Sequence, residues 1–198
     1  MLLSSMLASA VLALSIDAQA MSVAGVEVGD SIRVAEKPLK LNGAGVRYKA
    51  IFKVYVAALY LPEVRTTTAD IETLPGEKRI QLVMLRDISS EALSRAFIEG
   101  LKKNTPAAEQ WQLMDQLLAV GNLFASRPEL QKGDVVTIDW LPKSGTVLSL
   151  NGTPLHEPIP NQHFYTALLN IWLGDNPPDR HLKQAMLGGD TVADTVSR

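Results

Sequence analysis

The sequence predicts an α+β fold, with a large, mainly antiparallel sheet and helices packed on one face. Three observations lead there. Strand-like segments come first, then two helical segments, a hairpin signal and two more helical segments. The strand–helix–strand alternation of a doubly wound parallel sheet is absent. The 198 residues hold no repeat, low-complexity block or long linker, which suits one domain.

Between residues 22 and 60, short apolar runs alternate with turn residues. Val26-Glu27-Val28 and Ile32-Arg33-Val34 flank Gly29-Asp30, which reads as a hairpin turn. Leu39-Lys40-Leu41 leads to Asn42-Gly43, and Val46 continues past Gly45. Residues 52–61 are rich in Val, Tyr and Phe and stop at Pro62, as a buried strand does. Residues 67–73 form a short helix closed by Pro75-Gly76. A strand over 78–85 puts Ile80, Leu82 and Met84 on one face.

Ser89 or Ser90 caps a helix that runs to Lys103, with Glu91 at its positive end. Leu93, Ala96, Phe97, Gly100 and Leu101 share one face of it. After Asn104-Thr105-Pro106, a longer helix spans 107–125. Its stripe of Trp111, Met114, Leu117, Leu118, Gly121 and Phe124 reads as core packing. Residues 134–140 alternate as a strand. Gly145–Leu150 and residues 153–155 flank Asn151-Gly152, a strong hairpin signal. That turn also accounts for the sequon Asn151-Gly152-Thr153. A helix over 164–173 buries Leu168, Leu169 and Trp172 and ends at Gly174. Pro177-Pro178-Asp179 opens a last helix to Leu187, stopped by Gly188-Gly189.

The first twenty residues differ from the rest. Residues 6–16 are apolar or small, too short a run to span a bilayer. Asp17 ends it, and Ala18-Gln19-Ala20 has the A-x-A form of a signal-peptidase site. No Lys or Arg precedes the run, so a buried N-terminal helix is the alternative. The division expected is a signal peptide over 1–20, a domain over 21–188 and a loose polar tail over 189–198. A chain so processed is periplasmic or secreted, with no membrane span.

Charge and composition exclude several functions. Lys and Arg number 19 against 21 Asp and Glu, a net charge of −2, which argues against a nucleic-acid partner. There is no Cys, hence no disulfide, thiolate nucleophile or Cys-based metal site. His156, His163 and His181 fit no metal spacing, and no cofactor is expected. Gly43-Ala44-Gly45 lacks the third glycine and helix of a dinucleotide loop. No G-x-S-x-G is present. Glu109 and Asp115 read as solvated helix charge.

Arg47 stands out. It lies in an apolar, glycine-rich stretch beside Tyr48, with Tyr55 an even number of residues ahead. On one unbroken strand Arg47 and Tyr55 share a face. An arginine aimed into an apolar pocket holds a carboxylate or an enolate through paired donors. An exposed arginine that snorkels fits the same spacing.

The stretch Leu41-Asn42-Gly43-Ala44-Gly45-Val46-Arg47, followed by residues 52–61, resembles the chalcone isomerase superfamily, most closely its bacterial chalcone isomerase-like branch. Trp172-Leu173-Gly174-Asp175-Asn176-Pro177-Pro178-Asp179 and Ile88-Ser89-Ser90-Glu91 add to the resemblance, which covers about residues 21–188. It implies an open-faced β-sandwich with helices over a large antiparallel sheet. In the plant isomerases an arginine guides addition of a phenolate to an enone, while a threonine and a tyrosine organise a water at the ketone oxygen. Arg47 matches that arginine and Asn104 the asparagine on the following helix. Tyr55 falls at the threonine, Phe97 (no hydroxyl) at the tyrosine and Leu182 near a late Ser/Thr. Losing oxyanion donors costs several kcal/mol of barrier, so flavonoid cyclisation is disfavoured.

Plant fatty-acid-binding relatives hold a carboxylate with the same arginine and a tyrosine, and Arg47 with Tyr55 resembles that pair. The expectation is a ligand-binding site of Arg47 and Tyr55 with Phe97, Leu93, Leu59 and Met114 as apolar lining, taking a small apolar or acyl ligand. The alternative is an isomerase, an intramolecular lyase using Arg47 and Asn104 on an enone. A domain with a filled core, where Arg47 and Asn104 only support the glycine-rich corner, is a third reading.

Overall fold

The computed structural model describes residues 20–125 and 128–189. The leader expectation, apart from Ala20, and the tail beyond residue 189 lie outside the described residues.

Two short strands, β1 (Ala20–Val23) and β2 (Val26–Gly29), form a separate hairpin. The main sheet has seven strands in the order β11-β10-β9-β6-β5-β4-β3, and all its pairings are antiparallel. They are β3 (Ser31–Val34), β4 (Lys37–Lys49), β5 (Phe52–Leu61), β6 (Lys78–Met84), β9 (Val135–Leu141), β10 (Gly145–Leu150) and β11 (Thr153–Pro154). Helix α1 (Thr68–Thr73) follows β5, with Thr67 accepting from Asp70 N–H as its cap. Strands β7 (Ile88–Ser89) and β8 (Glu129–Leu130) clip the start of α2 (Ser90–Asn104). Helices α3 (Ala107–Gln110), α4 (Met114–Ala125), α5 (Gln162–Leu173) and α6 (Arg180–Met186) complete the order.

Alternation along the strands sorts the apolar residues onto two faces. Tyr55, Ala57, Leu59 and Leu61 of β5 join the main core with Leu93, Phe97 and Leu101 of α2 and Leu168 and Trp172 of α5. Val56, Ala58 and Tyr60 point the other way, into a smaller cluster closed by Val23 and Val28 of the β1–β2 hairpin. The helices therefore cover one face of the large sheet, as the alternation and element order predict.

Three readings need correction. The segment at Gly29-Asp30 is not a hairpin turn, because β2 and β3 belong to different sheets. The turns sit on either side of it, at Ala24-Gly25 and Ala35-Glu36, with φ of 50°, 81°, 45° and 65°. Alanine and glutamate in left-handed conformations carry no turn signal. The helix expected over 107–125 is interrupted by a 3-10 turn at Trp111–Leu113. Leu113, Leu117 and Val120 become buried, while Trp111, Met114 and Leu118 are exposed. The predicted apolar stripe is thus only partly core.

Two register shifts in the β4–β5 ladder determine the site. Tyr48 pairs with Lys53, but Arg47 pairs with Tyr55, so Val54 is an extra residue on β5. The second shift falls between Leu41 and Gly43 and makes Asn42 the extra residue on β4. Between these bulges lies Gly43-Ala44-Gly45-Val46-Arg47, displaced by one residue relative to the flanking ladder. Helix α6 packs directly on this segment. A Cβ at Gly43 would overlap the Ala185 carbonyl oxygen, and one at Gly45 would lie 2.8 Å from the Ala185 Cβ. Both glycines are required by close approach rather than by backbone conformation. Gly43→Val is expected to force α6 off the sheet and destabilise the fold by about 3 kcal/mol, read as a lower urea midpoint.

Candidate ligand-binding site

Arg47 and Tyr55 are direct cross-strand partners. They share a face for that reason, and not because one strand carries both. The bulge at Val54 matters here, since an unshifted ladder would place Val54 opposite Arg47. Both side chains line a partly enclosed cavity of about 130 Å³. Leu93 and Phe97 of α2 and Ile171 and Trp172 of α5 form its apolar walls, with Ala92 and Ala96 leaving room between them. Lys49 and Val54 stand at the hairpin end.

Tyr55 is buried, and its oxygen accepts a hydrogen bond from Trp172 Nε1 at 3.0 Å. Burial pushes the phenol pKa above its ordinary value of 10.0, while the Trp172 hydrogen bond and the Arg47 charge pull in the opposite direction without cancelling it. Tyr55 thus stays protonated, and its O–H is left to donate to an acceptor in the cavity. Phe97 meets Trp172 edge-to-face, ring centroids 5.5 Å apart, which braces the wall on which this donor rests.

Arg47 Nη1 lies 3.8 Å from Asp179 Oδ2, an ion pair that is too long for a hydrogen bond. Asp179 caps α6, accepting from the backbone N–H groups of His181 at 3.0 Å and Leu182 at 3.3 Å, and it also accepts from Tyr48 N–H at 3.1 Å. The carboxylate is fixed by backbone, so it holds the guanidinium without occupying its donors. A guanidinium has five N–H groups. One of them is directed at the Tyr55 oxygen, and others remain for a second oxyanion.

The other predicted residues are not all gathered here. Leu93 and Phe97 line the cavity as expected. Leu59 does not: it lies four residues along β5 from Tyr55, about 13 Å at strand rise, fully buried in the core. Met114 is 48% exposed at the start of α4, because that part of the chain packs through Leu113, Leu117 and Val120. Asn104 braces a loop. Its Nδ2 donates to Gly100 O at 2.8 Å and Asn176 O at 3.1 Å, and its Oδ1 accepts from Asn176 N–H at 2.8 Å. Both amide protons are thereby used, and the two bonds with Asn176 tie α2 to the α5–α6 connection that carries Asp179. Leu182 is buried beneath α6 against Gly45.

Two members of the site escaped the sequence reading. The helical pattern marks Trp172 only as core, though a buried indole N–H needs an acceptor and here finds Tyr55. Asp179 was read as a helix start, and nothing local signals that the capped carboxylate faces Arg47. A second polar set also surfaces. Lys78 and Thr146 both pair with Trp140 and so share the helix-facing side, with the Tyr165 ring 5.7 Å from that of Trp140. Burial lowers the Lys78 pKa and raises that of Tyr165. Among the described residues no group of three His, Asp or Glu could hold a metal, and no helix is long and apolar enough to cross a membrane.

The geometry is thus a helix-covered antiparallel sheet with an arginine and a tyrosine at one end of an apolar cavity. The chalcone isomerase-like family profile matches residues 20–188, and the chain belongs to that family. No curated protein matches the sequence. The crystal structure of a fatty-acid binding protein from Arabidopsis thaliana shares the fold, with a TM-score of 0.64 over 85% of this chain and 96% of that one, at 14% identity.

Tyr55→Phe removes the acceptor of a buried N–H and is expected to cost roughly 1–3 kcal/mol in chemical denaturation. The raised phenol pKa adds a pH dependence. Above pH 10.0 the unfolded chain releases the Tyr55 proton while the native state retains it, so stability declines as pH rises toward the native value. Tyr55→Phe should make that alkaline decline shallower.

Proposed function

We propose that this protein binds a small apolar carboxylate, of the fatty-acid type, with its head at Arg47 and Tyr55 and its tail between α2 and α5. The observation that carries this reading is the cross-strand Arg47–Tyr55 pair opening onto an apolar cavity. Similarity of fold to a fatty-acid binding protein supports it. The cavity volume limits the ligand. About 130 Å³ is below the roughly 300–1,000 Å³ of drug-sized sites. At roughly 30 Å³ per water-sized group it takes about four such groups. A short chain fits within it, and a longer tail, such as that of octanoate, has to extend past the mouth or displace α2.

The isomerase reading has weaker support. Phe97 and Leu182 bring no hydroxyl, and Asn104 is committed to the loop. Arg47 and Tyr55 remain, one charge and one proton donor. The apolar run over 6–16 with Ala18-Gln19-Ala20 supports export to the periplasm of a bacterial host, which we include in the proposal.

Isothermal titration with saturated acids of increasing length tests the binding reading. Affinity should rise about fourfold per methylene over the first few carbons, from about 0.8 kcal/mol of burial each, then level off. Arg47→Ala should weaken binding roughly 10- to 100-fold by removing charge-assisted hydrogen bonds. Ala96→Leu should fill the cavity and block binding while leaving the thermal midpoint unchanged or higher. Equal affinities for wild type and Arg47→Ala would refute the assignment of the head site.

A further inference from the structure

Arg47 is not a free positive charge. Its guanidinium faces the Asp179 carboxylate at 3.8 Å. Backbone N–H groups of Tyr48, His181 and Leu182 hold that carboxylate in place. The Arg47 and Asp179 side chains are only 19% and 10% exposed, so salt and water screen the pair little. Their charges therefore largely offset each other at the head of the cavity, where Tyr55 is neutral. The Tyr55 hydroxyl registers this balance. Burial is the largest cause of its raised pKa, and the Asp179 charge adds to it against the pull of Arg47. A carboxylate placed beside Tyr55 meets the same opposing field.

The cavity lining holds one further charge. Lys49 lies two residues beyond Arg47 on the same face of β4, about 7 Å along the strand. It stands at the exposed end of the cavity, where Ala92 of α2 is exposed as well. Among the described residues no acid lies within ion-pair distance of Lys49, whereas Arg47 has Asp179. Arg86 and Asp87, which precede the lining residue Ile88, bring one charge of each sign. Arg47, Asp179 and Lys49 together thus leave one net positive charge at the site, and it belongs to Lys49. A lysine carries a compact charge on a flexible stem, so it can follow a head group near the mouth without a fixed geometry.

We propose that Lys49 is the specificity-determining cation of this cavity. Its ammonium is the net counter-ion of the bound acid and sets the preference for an anionic head over a neutral one of the same shape. The inference rests on the reading of the cavity as an acid-binding site. Arg47 and Tyr55 orient the head through hydrogen bonds, and Lys49 supplies the attraction that Asp179 offsets at Arg47.

Isothermal titration with octanoate and with octanamide, a neutral head on the same tail, tests this. The quantity read is the ratio of the two affinities. Lys49→Gln should lower the octanoate preference about three- to fivefold at low ionic strength, as loss of a mouth charge does, with the thermal midpoint unchanged. Lys49→Glu should lower it further, and Lys49→Arg should retain it. The gap between wild type and Lys49→Gln should close at about 0.5 M salt. Asparagine caps a helix as well as aspartate does, so Asp179→Asn added to Lys49→Gln removes the offsetting charge and should restore the preference. An unchanged ratio in Lys49→Gln, or an equal fall in Lys49→Arg, overturns the role of Lys49 and leaves the head site at Arg47 standing. A wild type that takes up no octanoate removes the ligand reading, and this inference with it.

Discussion

Gly43 and Gly45 leave no side chain between β4 and α6, and the site depends on that contact. With the helix lying on the strand, its N-terminal Asp179 reaches Tyr48 N–H and faces Arg47. Its other end is tied by Asn42, the bulged residue, whose Nδ2 donates to Met186 O at 2.7 Å while its Oδ1 accepts from Arg65 N–H at 2.7 Å. The bulge at Asn42 and the bulge at Val54 bracket one shifted segment. That shift brings Tyr55 opposite Arg47. A glycine-rich stretch therefore aligns a strand, a helix cap and the Arg47 guanidinium.

Sheet and helices were largely legible because their periodicities are strong. The Asn151-Gly152 hairpin and the Ser89 cap of α2, which accepts from Ala92 N–H at 3.2 Å, follow from local chemistry alone. Arg47, Tyr55, Leu93 and Phe97 do meet at one cavity. What could not be read is long-range or subtle in phase. Ladder register depends on bulges that leave no mark in composition. The chain entering α4 packs through Leu113, Leu117 and Val120, which leaves Met114 at the surface rather than in the expected lining. Leu59 has the right strand parity and lies too far along the strand. The Arg47–Asp179 pair spans 132 residues of sequence and rests on the docking of α6.

Asp179 has a bearing on specificity. An unpartnered arginine at the end of an apolar cavity would carry a large desolvation cost. A backbone-fixed carboxylate at 3.8 Å reduces that cost without taking up a guanidinium donor in a hydrogen bond. Tyr55, kept protonated by burial, supplies a donor and repels no anion. In the proposed binding mode the apolar walls would contribute affinity in proportion to the tail they cover, and the polar end would fix its direction.

The central claim is that a carboxylate sits between Arg47 and Tyr55. A crystal structure with octanoate bound tests it directly. The account predicts one carboxylate oxygen within hydrogen-bond distance of an Arg47 guanidinium nitrogen, the other within reach of Tyr55 Oη, and the chain running between Leu93, Phe97 and Ile171. Octanoate lodged elsewhere, or with its carboxylate turned toward solvent and Arg47 still facing Asp179 alone, would contradict it.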